Sequence, residues 1–213
     1  MSDIIVVANA NLARRNKDNI FTGDNTFGND TDYVKIDVNG ELTLVGGATV
    51  FKDQFVDGLA VKGGATDPPV FAAFQNGVWS NRFDDGATMS AHGTLEFQHD
   101  YKEGSNVEVH IHWSPSTTNT GNCRWGFEYT LAGMNGTYGA TTTVYATQAG
   151  SGVVNKHQYL TLASLSGSGI TIGTVIAFRI FRDGANGADT FTGNAFLHRI
   201  AFHYESDRLG TAQ

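Results

Sequence analysis

The chain is short of charged residues, cross-links and membrane-length apolar runs. Only 16% of its 213 residues are charged, against about 25% in typical soluble domains. Its one cysteine, Cys123, allows no disulfide within the chain, so folding needs no oxidising compartment. The apolar run at residues 4–8 is far too short for a signal peptide or a membrane span. We therefore expect a protein that is made and assembled in a bacterial cytoplasm, without a membrane partner.

Basic charge is also scarce. Lysine and arginine number 14 against 21 acidic residues, which gives a formal net charge of −7. A nucleic-acid-binding protein normally shows a basic patch or stripe. The basic cluster Arg14, Arg15 and Lys17 is too short for that and is typical of a solvated arm. We expect no nucleic-acid partner.

Alternating apolar and polar residues dominate the chain from residue 51 onward. In one segment Val107, Val109, Ile111 and Trp113 share one face, and Glu108, His110 and His112 share the other. Similar alternation places three further groups of side chains on apolar faces, with glycine-rich turns between them: Cys123, Trp125, Phe127, Tyr129 and Leu131; Ile176, Phe178 and Ile180; and Phe196, Ile200, Phe202 and Tyr204. Many short strands at this spacing predict an all-β fold. We assign residues 51–213 to one β-sandwich domain with jelly-roll-like topology.

Residues 1–50 predict an extended arm followed by a β-hairpin. Residues 1–30 are polar. Within them a six-residue pattern of Asn, Phe and Asp occurs twice, at residues 19–24 and 25–30. In residues 31–50 alternation continues on both sides of Asn39-Gly40, which predicts a two-residue turn. An isolated hairpin is only marginally stable, so this one needs a partner surface. We assign the oligomer interface to the alternating apolar residues of the hairpin, which are Val34, Ile36, Leu42 and Leu44, with Val38 on the same face.

The histidines at 110 and 112 form the most enzyme-like pattern. Gly104, five residues and then His-x-His copy the first half of the cupin metal motif, and His203 could supply a third ligand. The glutamate that the motif requires next is replaced by Ser116 or Thr117. We therefore assign no metal and no cofactor, keep His110, His112 and His203 as candidate ligands, and expect a protein that is not an enzyme.

The three tryptophans of the sequence are candidates for stacking on sugars. Trp113 and Trp125 fall on apolar strand faces, which favours core packing for both. Trp79 follows Gly77 in a polar stretch and is the one that we expect to be exposed. Cys123 lies on an apolar face, which favours a buried small hydrophobe over a nucleophile.

Several short motifs together resemble a family of phage and prophage virion proteins. Residues 101–106, followed by His110-Ile111-His112-Trp113, are similar to that family's "WKEGS" stretch and "H-x-H-W" strand. Residues 202–210 resemble the C-terminal "F-H-Y-E-x-D-x-L-G" motif of that family. Residues 181–183 resemble its "L-F-R-D" motif at the end of a strand, and residues 48–53 resemble its "A-T-V-W-x-D" motif at the start of the domain. The resemblance covers about residues 42–213. Phe51, Lys52 and Tyr101 depart from the family pattern.

The resemblance implies a structural role on the virion surface, commonly as a homotrimer. We predict a capsid decoration protein, of the cement or head-fibre type, anchored to the major capsid protein or another virion protein through its N-terminal arm. The capsid contacts that we assign are Arg14, Arg15, Phe21 and Phe27. Two alternatives stay open: a tail or neck fibre that binds host surface glycans, and a cupin-like metal-binding protein.

Overall fold

The computed structural model describes residues 23–210, and this part of the chain is built from β-strands. It contains fourteen strands and one 3-10 turn, Gly46–Ala48, and no α-helix. No helix of membrane-spanning length and apolarity occurs within residues 23–210. The predicted all-β class is confirmed. Arg14, Arg15 and Phe21 lie outside the described residues.

A small antiparallel sheet precedes the main domain. It consists of β1 (Asn25–Gly28), β2 (Tyr33–Ile36) and β3 (Leu42–Val45), in that order. The predicted hairpin is therefore present as β2 and β3. The sequence reading placed residues 25–28 in the extended arm, but they form a third strand, because Asn25–Gly28 pairs with β2 along its whole length.

The turn of the hairpin differs from the predicted two-residue turn. Gly40 donates a hydrogen bond from its backbone N–H to the Asp37 carbonyl, and Asp37 donates one to Glu41, which leaves a three-residue loop. Only Gly40 has a positive φ, at 83°, so the loop is a type I turn closed by a glycine in the left-handed region. The Asp37 carboxylate accepts the Asn39 N–H, which holds that turn. Val38 therefore leaves the apolar face and is 68% exposed.

The main domain is a jelly roll. One sheet has the order β7-β14-β9-β12 and the other has the order β8-β13-β10-β11, which is the arrangement of an eight-stranded jelly roll. Strands β6 and β5 extend one edge of each sheet, and β4 pairs with β14 beside β7. The eleven strands are β4 (Val50–Asp57), β5 (Lys62–Gly63), β6 (Val70–Gln75), β7 (Val78–Phe83), β8 (Thr88–Glu96), β9 (Val107–Pro115), β10 (Asn122–Ala132), β11 (Thr142–Ala149), β12 (Gln158–Leu165), β13 (Val175–Asp183) and β14 (Ala195–Ser206).

The core lies between the two sheets and is rich in aromatic rings. Trp113 and Trp125 are fully buried with ring centroids 6.3 Å apart, so both predictions of core packing are confirmed. Cys123 is fully buried as predicted, and burial raises the pKa of its thiol to about 12.

A β-bulge at His198 corrects one predicted alignment. The sequence pattern predicts that Phe196 lies on the same face as Ile200. In the pairing of β14 with β9, however, His198 has no partner residue. The extra residue reverses the alternation, so Leu197 and Ile200 both enter the core. Phe196 faces away from that core and contacts Phe74 edge to face at 5.2 Å.

The small sheet is joined to the jelly roll where β14 ends. Leu44 donates its N–H to the Asp207 carbonyl, and Thr43 forms a bridge with Arg208. The Thr49 hydroxyl also donates to the Glu205 carboxylate. These polar contacts fix the position of the small sheet against the end of β14.

Candidate functional site

The small sheet collects apolar side chains on one face. Cross-strand register places Phe27 opposite Val34 and Val34 opposite Leu44, while Ile36 lies opposite Leu42. Directly opposed residues in antiparallel strands project to the same side. All four predicted interface residues therefore share a face with Phe27, one of the predicted capsid contacts.

This apolar face is only partly covered. Phe27 is 47% exposed, and the other four side chains are of intermediate burial. None of the five belongs to the jelly-roll core or to the partly buried side chains packed against it. The face is therefore separate from the domain core and incompletely buried in a single chain.

The candidate histidine ligands lie on the outer face of the sheet that contains β9 and β14. The rings of His110 and His112 are 5.2 Å apart, and His110 is 4% exposed beneath the Tyr159 ring. His203 bonds instead to Asp53 at 3.0 Å and stacks on the Phe51 ring. Within residues 23–210 no group of three or more His, Cys, Asp or Glu side chains could hold a metal ion.

His112 has a different close partner. Its Nδ1 lies 2.7 Å from Nε2 of His157, in the loop before β12, so one ring donates a hydrogen bond to the other. Burial lowers the pKa of His112, and the neighbouring His110 and His157 lower it further. The neutral form of the His112 ring is therefore favoured.

The His112–His157 pair borders a cleft of about 470 Å³. The cleft also receives side chains from β4, β6, β7, β14 and the loop after β4, and it is lined by Asp57, Leu59, Phe74, Val78, Trp79, Ser80, His112, His157, His198 and Arg199. Trp79 is 48% exposed there, which confirms the prediction that it is exposed. Sequence analysis singled out Trp79, and also His112 as a candidate metal ligand, but not the other residues of the cleft.

Two β-bulges place side chains in the cleft. His198 is the unpaired residue of β14, and Phe74 is the unpaired residue of β6. Their rings meet edge to face with centroids 4.6 Å apart. Bulges often re-aim side chains beside functional sites, and here each adds one residue to the same cleft.

The polar groups of the cleft are held in place. His198 Nε2 lies 3.0 Å from the Ser114 hydroxyl, and burial, with the nearby His157 and His112, lowers the pKa of His198. The Arg199 guanidinium lies 3.9 Å from the centre of the Phe55 ring and forms no ion pair with the residues described. Its charged donors are therefore available to a ligand.

A larger cavity of about 640 Å³ opens elsewhere on the domain, beside Val56, His92 and Tyr129. Its charged side chains, Arg179 and Glu128, pair with each other at 2.8 Å. This cavity therefore offers fewer unengaged charged groups to a ligand than the cleft beside Trp79.

Comparisons with known proteins were made at the level of sequence and of structure. No protein-family model matches the chain, and no curated protein sequence matches it. Among solved structures, the insecticidal delta-endotoxin Cry8Ea1 of Bacillus thuringiensis is similar with a TM-score of 0.40 and 11% identity, over 84% of this chain and 29% of the toxin. The VP2 subviral particle of infectious bursal disease virus gives a TM-score of 0.36 and 13% identity, over 84% of this chain and 40% of VP2.

The enzymatically active domain of tailspike protein 4 from bacteriophage CBA120 is a third similar structure. Its TM-score is 0.33 at 9% identity, over 72% of this chain and 19% of the tailspike. The chain thus spans less than half the length of each of these three proteins. At these levels of identity and structural similarity, the three proteins do not indicate a shared function.

Proposed function

We propose that this protein is a non-enzymatic bacteriophage virion protein, a capsid decoration protein of the cement or head-fibre type that acts as a homotrimer on the virion surface. The observation that supports it best is the apolar face formed by Phe27, Val34, Ile36, Leu42 and Leu44 on a three-stranded sheet outside the domain core. A small sheet with one incompletely covered apolar face gains stability when another chain covers the rest of that face. Three copies meeting around an axis would cover it symmetrically.

The segment before this sheet is assigned to capsid attachment. Residues 1–22 carry Arg14, Arg15 and Phe21 and lead directly into the small sheet. An extended segment can hold a partner by adding backbone hydrogen bonds at an exposed strand edge. Linking three such segments in one trimer raises the effective concentration of each at the capsid.

The oligomeric state tests the first part of the proposal. Light scattering after size exclusion should give about three times the chain mass of 22.9 kDa. Val34→Asp places a charge on the apolar face and should yield monomer, whereas Thr26→Asp, on the opposite face of the same sheet, should leave the trimer intact. A monomeric wild-type protein, or a trimer that survives Val34→Asp, would contradict the assignment.

Capsid occupancy tests the second part. Deleting residues 1–22 leaves every described strand in place, so the variant should fold and form trimers. Added to particles assembled without the protein, it should fail to bind, while the full chain binds. Unchanged occupancy after the deletion would show that attachment lies in residues 23–213.

A second candidate function is that of a tail or neck fibre that binds host glycans. It is favoured by one observation, the exposed Trp79 in a cleft with unengaged polar groups. An adhesive role does not exclude trimerisation, because the cleft and the small sheet use different residues.

A further inference from the structure

The cleft beside Trp79 combines three features of a small-ligand site. It is concave, it has an exposed aromatic ring, and it has polar side chains from several strands directed into one volume. A volume of about 470 Å³ lies within the range of about 300–1,000 Å³ that is usual for ligand sites. None of these residues is needed for the trimer or for capsid attachment as proposed above.

Trp79 supplies the exposed aromatic surface of the cleft. Trp79 packs against Phe71 with ring centroids 5.2 Å apart, and Ala73 pairs with Trp79 in the β6–β7 ladder. An indole that packs against a second ring has fewer conformations to lose when an apolar ligand face stacks on its exposed surface. The C–H face of a pyranose ring is a ligand surface of this kind.

The polar groups of the cleft offer both donors and acceptors. Asp57 and Arg199 are directly opposed in the β4–β14 pairing, and the other members are the His112–His157 pair and His198. Carboxylate and guanidinium groups form charge-assisted hydrogen bonds, which are stronger than neutral ones and suit the hydroxyls of a sugar. Because the fixed charges of Asp57 and Arg199 have opposite signs, the cleft favours a neutral polyhydroxylated ligand over an ion.

The two bulged residues give the cleft its floor. Phe74 and His198 contact each other, and His198 is held by the Ser114 hydroxyl. Without the bulge at His198, regular alternation would turn either His198 or Arg199 away from the cleft. Both side chains line the cleft in the observed register.

We propose that this cleft binds a neutral hexopyranose unit of a glycan, with the sugar ring stacked on Trp79 and its hydroxyls bonded to Asp57, Arg199 and His157. This site deepens the second candidate function given above, on which it rests, and it can fail independently of the structural role. Each chain carries its own cleft, so a trimer would bind a polymeric glycan with higher avidity than one chain.

The test uses the full chain on an array that carries neutral glucose and galactose oligosaccharides beside uronic-acid oligosaccharides. We expect binding to at least one neutral oligosaccharide. Trp79→Ala should weaken it by about 5- to 150-fold, the range expected from the loss of a ring that stacks on a nucleobase. Trp79→Phe should restore part of the affinity. Tyr145→Ala removes an aromatic of equal exposure from β11 on the opposite sheet and should have no effect.

Fluorescence quenching supplies a second readout on the same variants. Trp79 is the one exposed tryptophan of three, because Trp113 and Trp125 are fully buried. Acrylamide should quench it in the free protein, and the bound oligosaccharide should protect it. Four outcomes would overturn the proposal: no binding to any neutral oligosaccharide, binding of uronic-acid oligosaccharides alone, full affinity in Trp79→Ala, or a Trp79 already protected in the free protein. Unchanged oligomeric mass of Trp79→Ala shows that such a failure leaves the virion role intact.

Discussion

Arg182 and Asp189 form a two-pronged ion pair in the interior of the jelly roll. The Arg182 Nε and Nη2 atoms lie 2.9 and 2.8 Å from the two carboxylate oxygens of Asp189, and the two side chains are 0% and 2% exposed. The same guanidinium donates to the backbone carbonyls of Phe83, Phe191 and Gly193. One side chain therefore fastens β13 to β7 and to the loop that leads into β14.

Replacing Arg182 should strongly destabilise the domain. Arg182→Met leaves the Asp189 carboxylate buried without its partner, and breaking a buried pair in this way costs about 3–5 kcal/mol. Urea unfolding followed by fluorescence measures the loss. Arg82→Met is the control, because its pair with Asp84 is about one-third exposed and should contribute under about 1 kcal/mol. Equal losses in the two variants would contradict this interpretation.

Acid should destabilise the protein in the pH range of histidine titration. Burial lowers the pKa of His110, His112 and His198 from the ordinary value of 6.5. The unfolded chain then binds more protons than the folded one at pH values between the lowered pKa values and 6.5. The free energy of unfolding should therefore be highest above pH 6.5 and fall as the pH drops through the lowered values.

Urea unfolding at a series of pH values from about 8 to about 5 measures this dependence. His198→Gln should flatten the slope, because one of the three protonation steps is removed. Protonation of paired carboxylates such as Glu205 would reduce the free energy of unfolding only at lower pH. Burial raises the pKa of Glu205, but the hydrogen bonds from Lys102 and Thr49 outweigh burial and lower it. A flat profile between pH values of about 7 and 5 would contradict the prediction.

A methyl group at Gly126 should disrupt the second sheet. Gly126 pairs with Phe181 across β10 and β13, and a Cβ atom at Gly126 would overlap the Phe181 ring. That ring is held by the Arg179 guanidinium at 4.3 Å and by Tyr145, so it cannot move aside easily. Gly126→Ala should cost about 1–3 kcal/mol, the usual effect of overpacking. Gly139→Ala, with open space around the added methyl, should leave the thermal midpoint nearly unchanged.

The thiol of Cys123 should report global unfolding. It is fully buried, and its pKa of about 12 leaves almost no thiolate at neutral pH. A thiol reagent such as dithionitrobenzoate should react with the native protein only as fast as the protein opens, and at once in concentrated urea. Rapid modification of the native protein would mean that β10 opens locally without global unfolding.

The strands of the jelly roll could be predicted because the alternation of apolar residues in each strand shows which of its side chains face the core. The alternating apolar side chains of Val107–Pro115 and Asn122–Ala132, such as Val109, Ile111, Trp125 and Phe127, enter the core between the sheets. The bulge at His198 could not be predicted in the same way, since the residues around it read as one regular strand. Its effect depends on pairing with β9, which lies far away in the sequence.

As a sugar-binding site the cleft was visible in the sequence only through Trp79, because His112, which also lines it, was predicted as a metal ligand. Its other members, Asp57, His157 and Arg199, lie in separate segments and carry no local motif. The sequence instead drew attention to His110 and His112, whose spacing is conspicuous. His203 was added as a distant third ligand, but its ring is engaged by Asp53 and Phe51. Topology, not spacing, determines which of the histidines share a site.

The attachment of β4 to β14 has a mechanical consequence. The small sheet continues through a short turn into β4, which is hydrogen-bonded to β14 over eight consecutive residue pairs from Val50 to Asp57. Tension applied along β4 from the N-terminal side loads these bonds in shear, so they resist together rather than one after another. A molecule tethered to a rigid shell through its leading segment would therefore transmit pulling forces to the middle of its main sheet, and β4 is the strand that would bear the load.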